Sequence, residues 1–360
     1  MTGSCFASVF RVWLSCLALL CACACSKKAG DAQPGSEPAA SGSAPAAPAG
    51  PPLKIAYSDW PGWVAWDIAQ TKGWFAEAGV PVELTWLEYV PSMEAFTAGK
   101  VDAVCVTNGD QLVTGANGAP SVAVLLNDYS NGNDMVVARP GVEKMTDLKG
   151  KKIGVELGFV SHLLLLNALK SAGMSPSDVT LVNVPTHETP QALSKGDVEA
   201  IVAWQPNSGQ ALKLVPGSKA IFTSADVPGI IYDVLAVDPK SLAERRDDWG
   251  KVVGVWFRIA EYLKDEKNRD EALKIMSARV GLSPAEYAPL LGGTFFLDAA
   301  GNAEHVRPGD SLRSVFHSSR VVDAFNVEHD VYKQPQSIER YLDFSLASPV
   351  AAAEPAVAKP

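Results

Sequence analysis

The sequence predicts an α/β protein built as two doubly wound lobes with a ligand cleft between them. Three observations carry that prediction. The segment Lys54-Ile-Ala-Tyr-Ser-Asp59, with Gly99-Lys-Val-Asp-Ala-Val104 starting 45 residues after Lys54, is echoed by Lys152-Ile-Gly-Val-Glu156, with Gly196-Asp-Val-Glu-Ala-Ile201 starting 44 residues after Lys152. Each copy alternates apolar strands with helices, and a doubly wound sheet places its binding groups at the carboxyl ends of its strands. Leu53 to Leu346 spans 294 residues, enough for a sizeable core and too long for one small domain.

The first 26 residues read as an export signal, with Arg11 ahead of the apolar run Val12 to Leu20 and then small residues and cysteines. The run is too short to span a bilayer. Leu20-Cys-Ala-Cys23 resembles a bacterial lipoprotein processing site, which makes Cys23, or Cys25 beside it, the expected lipidated residue. Residues 27–52 are nearly all Ala, Gly, Pro and Ser, a composition that cannot bury enough apolar surface to offset chain ordering, so a flexible tether is expected. The tail 347–360 reads the same way.

Strand Leu53 to Tyr57 leads into Ser58-Asp-Trp-Pro-Gly-Trp63, where Pro61-Gly62 predicts a turn rather than an immediate helix, and a helix follows near Ala65 to Ala78. Strand Val82 to Leu87, helix Ser92 to Ala98 and strand Val101 to Val106 come next. Thr107-Asn-Gly-Asp110 has residues able to cap the following helix. Strands Val122 to Leu126 and Met135 to Ala138 flank a polar stretch, 127–134, read as a loop. In the second copy, Leu163-Leu-Leu-Leu166 lies within a core helix, Ser161 to Ala172, and strands Leu181 to Val184 and Ala200 to Ala203 precede a helix opened by Trp204-Gln-Pro-Asn207. Beyond strand Ile231 to Val237 the pattern turns helical, with amphipathic stretches Trp249 to Lys264 and Asp270 to Val280. These helices are expected to pack back on the first lobe. The expected division is lobe 1 over 53–138 plus 238–346 and lobe 2 over 139–237, with crossings near Ala138 and Val237 that supply a hinge.

Charge and cysteine content narrow the function. The net charge of −9 is scattered, leaving no footprint for nucleic acid and no polybasic membrane patch. Five of the six cysteines precede residue 26, so Cys105 stands alone in the folded part, where it reads as a buried small hydrophobe. His187-Glu-Thr-Pro-Gln191 lacks the second histidine of a zinc-protease helix, and no Gly-x-Ser-x-Gly elbow or phosphate loop occurs, so neither a metal, nor another cofactor, nor an enzyme is expected.

The opening Lys-Ile-Ala-Tyr-Ser-Asp, Gly73-Trp-Phe-Ala-Glu-Ala-Gly-Val80, Ala95-Phe-Thr-Ala-Gly-Lys-Val-Asp-Ala-Val104 and Asp147-Leu-Lys-Gly-Lys-Lys-Ile-Gly154 together resemble the solute-binding proteins of ABC importers in the nitrate, sulfonate and taurine group. The resemblance covers Leu53 to Pro239 well and the helical remainder loosely. It implies the type II periplasmic binding fold, a monomer, and a permease and ATPase as partners; with the processing site at Cys23 or Cys25, a lipoprotein anchored at the periplasmic side of a membrane is expected. The fold is shared with thiamine pyrimidine precursor binders and with a pyrimidine precursor synthase, the enzymatic alternative. Tyr57-Ser-Asp-Trp-Pro-Gly-Trp63, Glu88-Tyr-Val-Pro-Ser92 and 127–134 resemble the members associated with urea or guanidine carboxylases.

If strand tips line the cleft, lobe 1 offers Ser58, Asp59, Trp60, Trp63, Tyr89, Asn108, Asp110, Asp128 and Asp134. Lobe 2 offers Glu156, Ser161, His162, His187, Glu188, Trp204, Asn207 and Asp233. No Lys or Arg occurs in these tips. An anion would be repelled by each nearby carboxylate, by about 4 kcal/mol at about 4 Å and an effective dielectric near 20. Helix N-termini could supply some donors, and taurine, sulfonate or nitrate would depend on them. A small planar nitrogen cation such as guanidinium suits the set better, because carboxylates accept its N–H groups while indole faces take its charge. An Asp at a strand tip also serves as a helix cap or turn former, and a Trp there also serves packing.

Overall fold

The computed structural model describes residues 50–348. Two sheets organise them. The first contains β1 (Leu53–Tyr57), β2 (Val82–Trp86), β3 (Ala103–Thr107), β4 (Val122–Ser130), β10 (Tyr232–Val237) and β11 (Thr294–Phe296), in the order β11-β4-β10-β3-β1-β2. The second contains β5 (Asp134–Ala138), β6 (Lys152–Val155), β7 (Thr180–Asn183), β8 (Ala200–Trp204) and β9 (Lys219–Thr223), in the order β7-β6-β8-β5-β9. In each, three parallel strands from one copy of the repeat form the doubly wound part: β1 pairs with β2 and β3, and β6 with β7 and β8. The apolar runs of β1, β3 and β8 are buried, as strands covered by helices require, while the edge strands β2 and β7 are only partly buried.

Each sheet also takes one strand from the other half of the chain. β10 runs antiparallel between β3 and β4, and β5 runs antiparallel between β8 and β9. The expected division is corrected accordingly: β5 belongs to lobe 2 and β10 to lobe 1, and the chain crosses at 131–133 and 224–231 instead of near Ala138 and Val237. Periodicity marks a strand but not the sheet it joins. The polar stretch 127–130 is likewise no loop. It continues β4, because its backbone pairs with β10 on one side and β11 on the other.

A further difference concerns Pro61-Gly62, which starts a short helix, Pro61–Val64, directly after Trp60. Proline at the first helical position loses no hydrogen bond and arrives with a helical φ. The expected helix from 65 to 78 is divided by Gly73 at φ 72°, into Trp66–Lys72 and Trp74–Glu77.

The C-terminal helices pack on lobe 1, as their amphipathic pattern suggests. In the long helix Arg246–Lys264, Trp256 lies with its ring centroid 4.8 Å from that of Trp66 and donates its indole N–H to the Leu297 carbonyl at 3.0 Å. Helix Val315–Glu328 packs on helix Asn108–Ala116, with Asn108 Nδ2 donating to Ser318 Oγ at 3.2 Å. Cys105 is fully buried in β3, and burial pushes its thiol far above the usual range.

The export signal, Cys23 and Cys25, most of the tether and most of the tail lie outside the described residues. At the edges of what is described, Pro51 accepts a hydrogen bond from Arg245 at 2.6 Å, and Ala347 and Ser348 are buried rather than part of a free tail. Among the described residues no helix is long and apolar enough to cross a membrane.

Candidate functional site

An antiparallel strand presents its amino end at the edge where its parallel neighbours present their carboxyl ends. Asp233 at the start of β10 and Asp134 at the start of β5 therefore join the tips of β1, β3 and β8. Between them lies a small inner chamber walled by four aromatic rings, Trp60, Trp63, Tyr89 and Trp204, and by two carboxyl groups, Asp134 and Asp233. Thr107, Val160 and Ile231 complete the lining. The chamber is tight as it stands, about 10 Å³, room for about one water-sized sphere.

Local sequence sets the rings. Trp63 stacks on Tyr89 with centroids 5.4 Å apart and planes at 19°, and Tyr89 meets Trp204 edge-on at 5.0 Å. Trp60 is held by its indole N–H, which donates to Asp128 Oδ1 at 2.9 Å. Tyr89 is fixed from below. Its hydroxyl donates to Asp110 Oδ2 at 2.6 Å and accepts from the Thr107 amide at 3.2 Å. The same Asp110 oxygen accepts from the Val160 amide at 3.1 Å, the first N–H of helix Val160–Ser171 in the other lobe, so Asp110 is a bridge between lobes as well as a support.

The carboxyl groups are crowded and dry. Asp128 and Asp233 are direct cross-strand partners on β4 and β10. Both are buried, and apart from the contact between the two carboxyl groups themselves neither Asp128 Oδ2 nor Asp233 Oδ2 has a hydrogen-bond partner. Burial pushes Asp128, Asp134 and Asp110 each up to about 7. Asp233 is raised well above the carboxylate range by burial and then by its neighbours Asp128, Asp134 and Asp110. Neither Lys, Arg nor His lines the chamber.

Outside the Tyr89 and Trp204 rings, which border both spaces, an outer cleft of about 330 Å³ lies between the lobes. It is acidic, with Asp59, Glu88 and Glu94 from lobe 1 and Glu156 from lobe 2. Asp59, partly buried, accepts from Trp204 Nε1 at 3.0 Å and from Asn207 Nδ2 at 2.7 Å, and burial pushes its carboxyl up to about 6. Glu156 accepts from Thr186 Oγ1 at 3.0 Å and is raised by its burial. His187, the one basic side chain on this wall, lies 3.3 Å from Glu88 across the cleft.

Of the residues expected at the cleft, Trp60, Trp63, Tyr89, Asp134, Trp204 and Asp233 meet at the chamber, and Asp59 and Glu156 line the outer cleft. Asp110 stands one layer behind, under Tyr89. Two others are placed elsewhere. Asn108 is spent on the fold, accepting from the Tyr232 amide at 3.1 Å and donating to Ser318. His162 lines neither space; its Nδ1 accepts from the Gly158 amide at 3.3 Å, and burial pushes its imidazole down to about 4. Glu94 and Phe159 escaped sequence reasoning. Glu94 was detectable once the helix is begun at Tyr89, since it then lies one turn beyond Val90 on the cleft face. Among the described residues no group of three His, Cys, Asp or Glu side chains is placed to hold a metal.

The family model that describes the NMT1-like family matches residues 46–277, more than half of the chain. The chain belongs to the NMT1-like family. A Brucella abortus relative, by name a binding protein, is 29% identical over 177 residues, which cover 49% of this chain and 54% of that one. The taurine-binding periplasmic protein of Escherichia coli is 27% identical over 143 residues, 39% of this chain and 44% of its own. The NMT1-like chain thus spans about half the length of the curated relatives it matches. The alkanesulfonate-binding protein of Xanthomonas axonopodis pv. citri, solved with MOPS, superposes with a TM-score of 0.67 at 19% identity, over 82% of this chain and 99% of that one. The two-sheet architecture of this NMT1-like protein is the periplasmic binding protein fold.

Proposed function

We propose that the protein is the solute-binding component of an ABC importer, working outside the cytoplasmic membrane with a permease and an ATPase, and that its ligand is a small nitrogen cation such as guanidinium. It acts as a binding protein and not as an enzyme, held at the membrane by a lipid on Cys23 or Cys25. The carrying observation is the chamber: four aromatic rings around the buried carboxyl groups of Asp134 and Asp233, with Asp233 Oδ2 unpartnered and no basic side chain. A cation over an aromatic face gains about 0.5–2 kcal/mol, more when dry, and N–H donors satisfy acceptors that burial otherwise leaves costly. Two of the relatives named above are a taurine-binding and an alkanesulfonate-binding protein, and a sulfonate would meet carboxyl groups here without a Lys or Arg to receive it. As it stands the chamber has room for about one water-sized sphere, so a cation of guanidinium's size enters only as its walls move apart.

A second reading is a neutral amide such as urea. It is favoured by Trp63 Nε1, a buried donor without an acceptor, which a carbonyl oxygen would satisfy. Calorimetric titration with guanidinium, urea, taurine and nitrate separates these. Guanidinium is expected to bind, and Asp134→Asn to weaken it by about 1.5–3 kcal/mol, the range for a hydrogen bond to a charged group. Binding of taurine or nitrate alone would overturn the cation assignment.

A further inference from the structure

We propose that Asp128 and Asp233 together hold one proton in the empty protein and give it up to solvent when an N–H-bearing cation enters the chamber. The inference rests on the cation reading and adds a coupling to it. Its basis is geometric. The two residues are register partners on adjacent antiparallel strands, which sets their side chains on one face within about 5.5 Å at Cβ. Their exposures are 0% and 2%, and each keeps one oxygen without a donor from outside the pair. Two carboxyl groups so close and so dry cannot both ionise without a compensating positive charge.

No such charge is at hand. The ionisable groups facing the pair are Asp134 at the start of β5, Asp110 on helix Asn108–Ala116 and the Cys105 thiol on β3, all of them acidic. Gly62 and the Trp60 indole lie against Asp128, and Asp233 is the member of the pair that lines the chamber. The Trp60 N–H donates to Asp128 and stabilises charge there, which leaves the proton with Asp233. An entering cation brings one positive charge and its own N–H donors, so it replaces the proton in both roles. One cation enters, one proton leaves to the buffer, and the charge of the chamber is unchanged.

The test is calorimetric titration of the purified protein with guanidinium chloride at about pH 7.5, in phosphate and in Tris, whose ionisation enthalpies differ. The difference in heat counts protons, and about one should be released per cation bound; apparent affinity should tighten about tenfold per pH unit of rise while the pair remains protonated. Asp233→Asn copies the protonated carboxyl by donating to Asp128 permanently, so it should bind guanidinium at least about tenfold more weakly and release no proton on this account. A second measurement needs neither ligand nor variant: the ¹³C carboxyl shifts of Asp128 and Asp233 in the empty protein should show one of the two still protonated near neutral pH. Guanidinium binding with equal heats in both buffers would overturn the proton exchange and leave the cation reading standing. Failure of every cation to bind would overturn both, and two carboxyl groups ionised in the empty protein would overturn the exchange.

Discussion

Gly62 shows how closely the chamber wall is fitted. A Cβ placed on it would lie 1.8 Å from Asp128 Oδ2 and 2.7 Å from Trp60 Nε1, so only a residue without a side chain lets the first helical turn sit against the carboxyl group and its indole donor. The sequence shows Pro61-Gly62 as a turn signal, and in the absence of the fold nothing reveals that the glycine is there for close approach. Gly62→Ala is expected to separate Trp60 from Asp128, to cost about 1–3 kcal/mol of stability as overpacking does, and to weaken guanidinium binding about tenfold or more. Thermal unfolding and calorimetry on the same variant check both; an unchanged melting temperature with unchanged affinity would mean the wall yields freely. The aromatic members are more legible than the glycine. Trp60 and Trp63 lie three apart across a helix start, and their presence beside Asp59 already marks the tip as acidic and aromatic.

At the scale of elements, what was legible is whatever one strand or helix reveals by its own composition. The parallel strands of both copies fall at the apolar runs that the sequence marks, and helix Arg246–Lys264 follows its amphipathic pattern. What was not legible is which strands exchange sheets, because β5 and β10 are apolar on both faces and suit either one. The exchange matters, since it brings Asp134 and Asp233 to the chamber from strand beginnings. Edge strands β9 and β11 are not among the strands the sequence predicts; β11 has only three residues. The helical C-terminal part lines neither the chamber nor the outer cleft. Trp249 is fully buried in helix Arg246–Lys264, its indole N–H donates to Ser241 Oγ at 3.2 Å, and it lines neither cleft space. Trp249→Ala should therefore lower unfolding stability by about 3–5 kcal/mol, read as a lower denaturant midpoint at constant slope, while guanidinium affinity in the folded fraction stays put.

Over the whole molecule the acidic cleft gives stability an unusual dependence on pH. Asp59 is raised to about 6, Asp110, Asp128 and Asp134 each to about 7, and Asp233 and Glu156 are raised as well, burial being the first cause in every case. In the unfolded chain such groups lose their protons near pH 4, so from about pH 4 to about pH 7 the folded protein holds more protons than the unfolded one. Their contribution is thus complete below about pH 4 and is lost as pH rises through about 6 to 7. His162, lowered to about 4, and His305, also lowered, act in the opposite direction, gaining stability as pH rises towards about 6.5, but they are two against six. The exposed carboxylates that are lowered, Glu286 to about 2 among them, lose their contribution only as pH falls below about 4, outside this window. The empty protein should therefore melt higher at about pH 5.5 than at about pH 8, by about 5–10 °C if the net linkage is a few kcal/mol. Guanidinium at saturation should raise the value at the alkaline end most, because there the cation replaces protons that the chamber has already begun to lose. Scanning calorimetry across that range, with and without guanidinium, measures both slopes. A melting temperature that instead climbed towards pH 8 without ligand would mean that the cleft carboxylates are stably ionised by some other donor, and the cation would then have no vacant charge to fill.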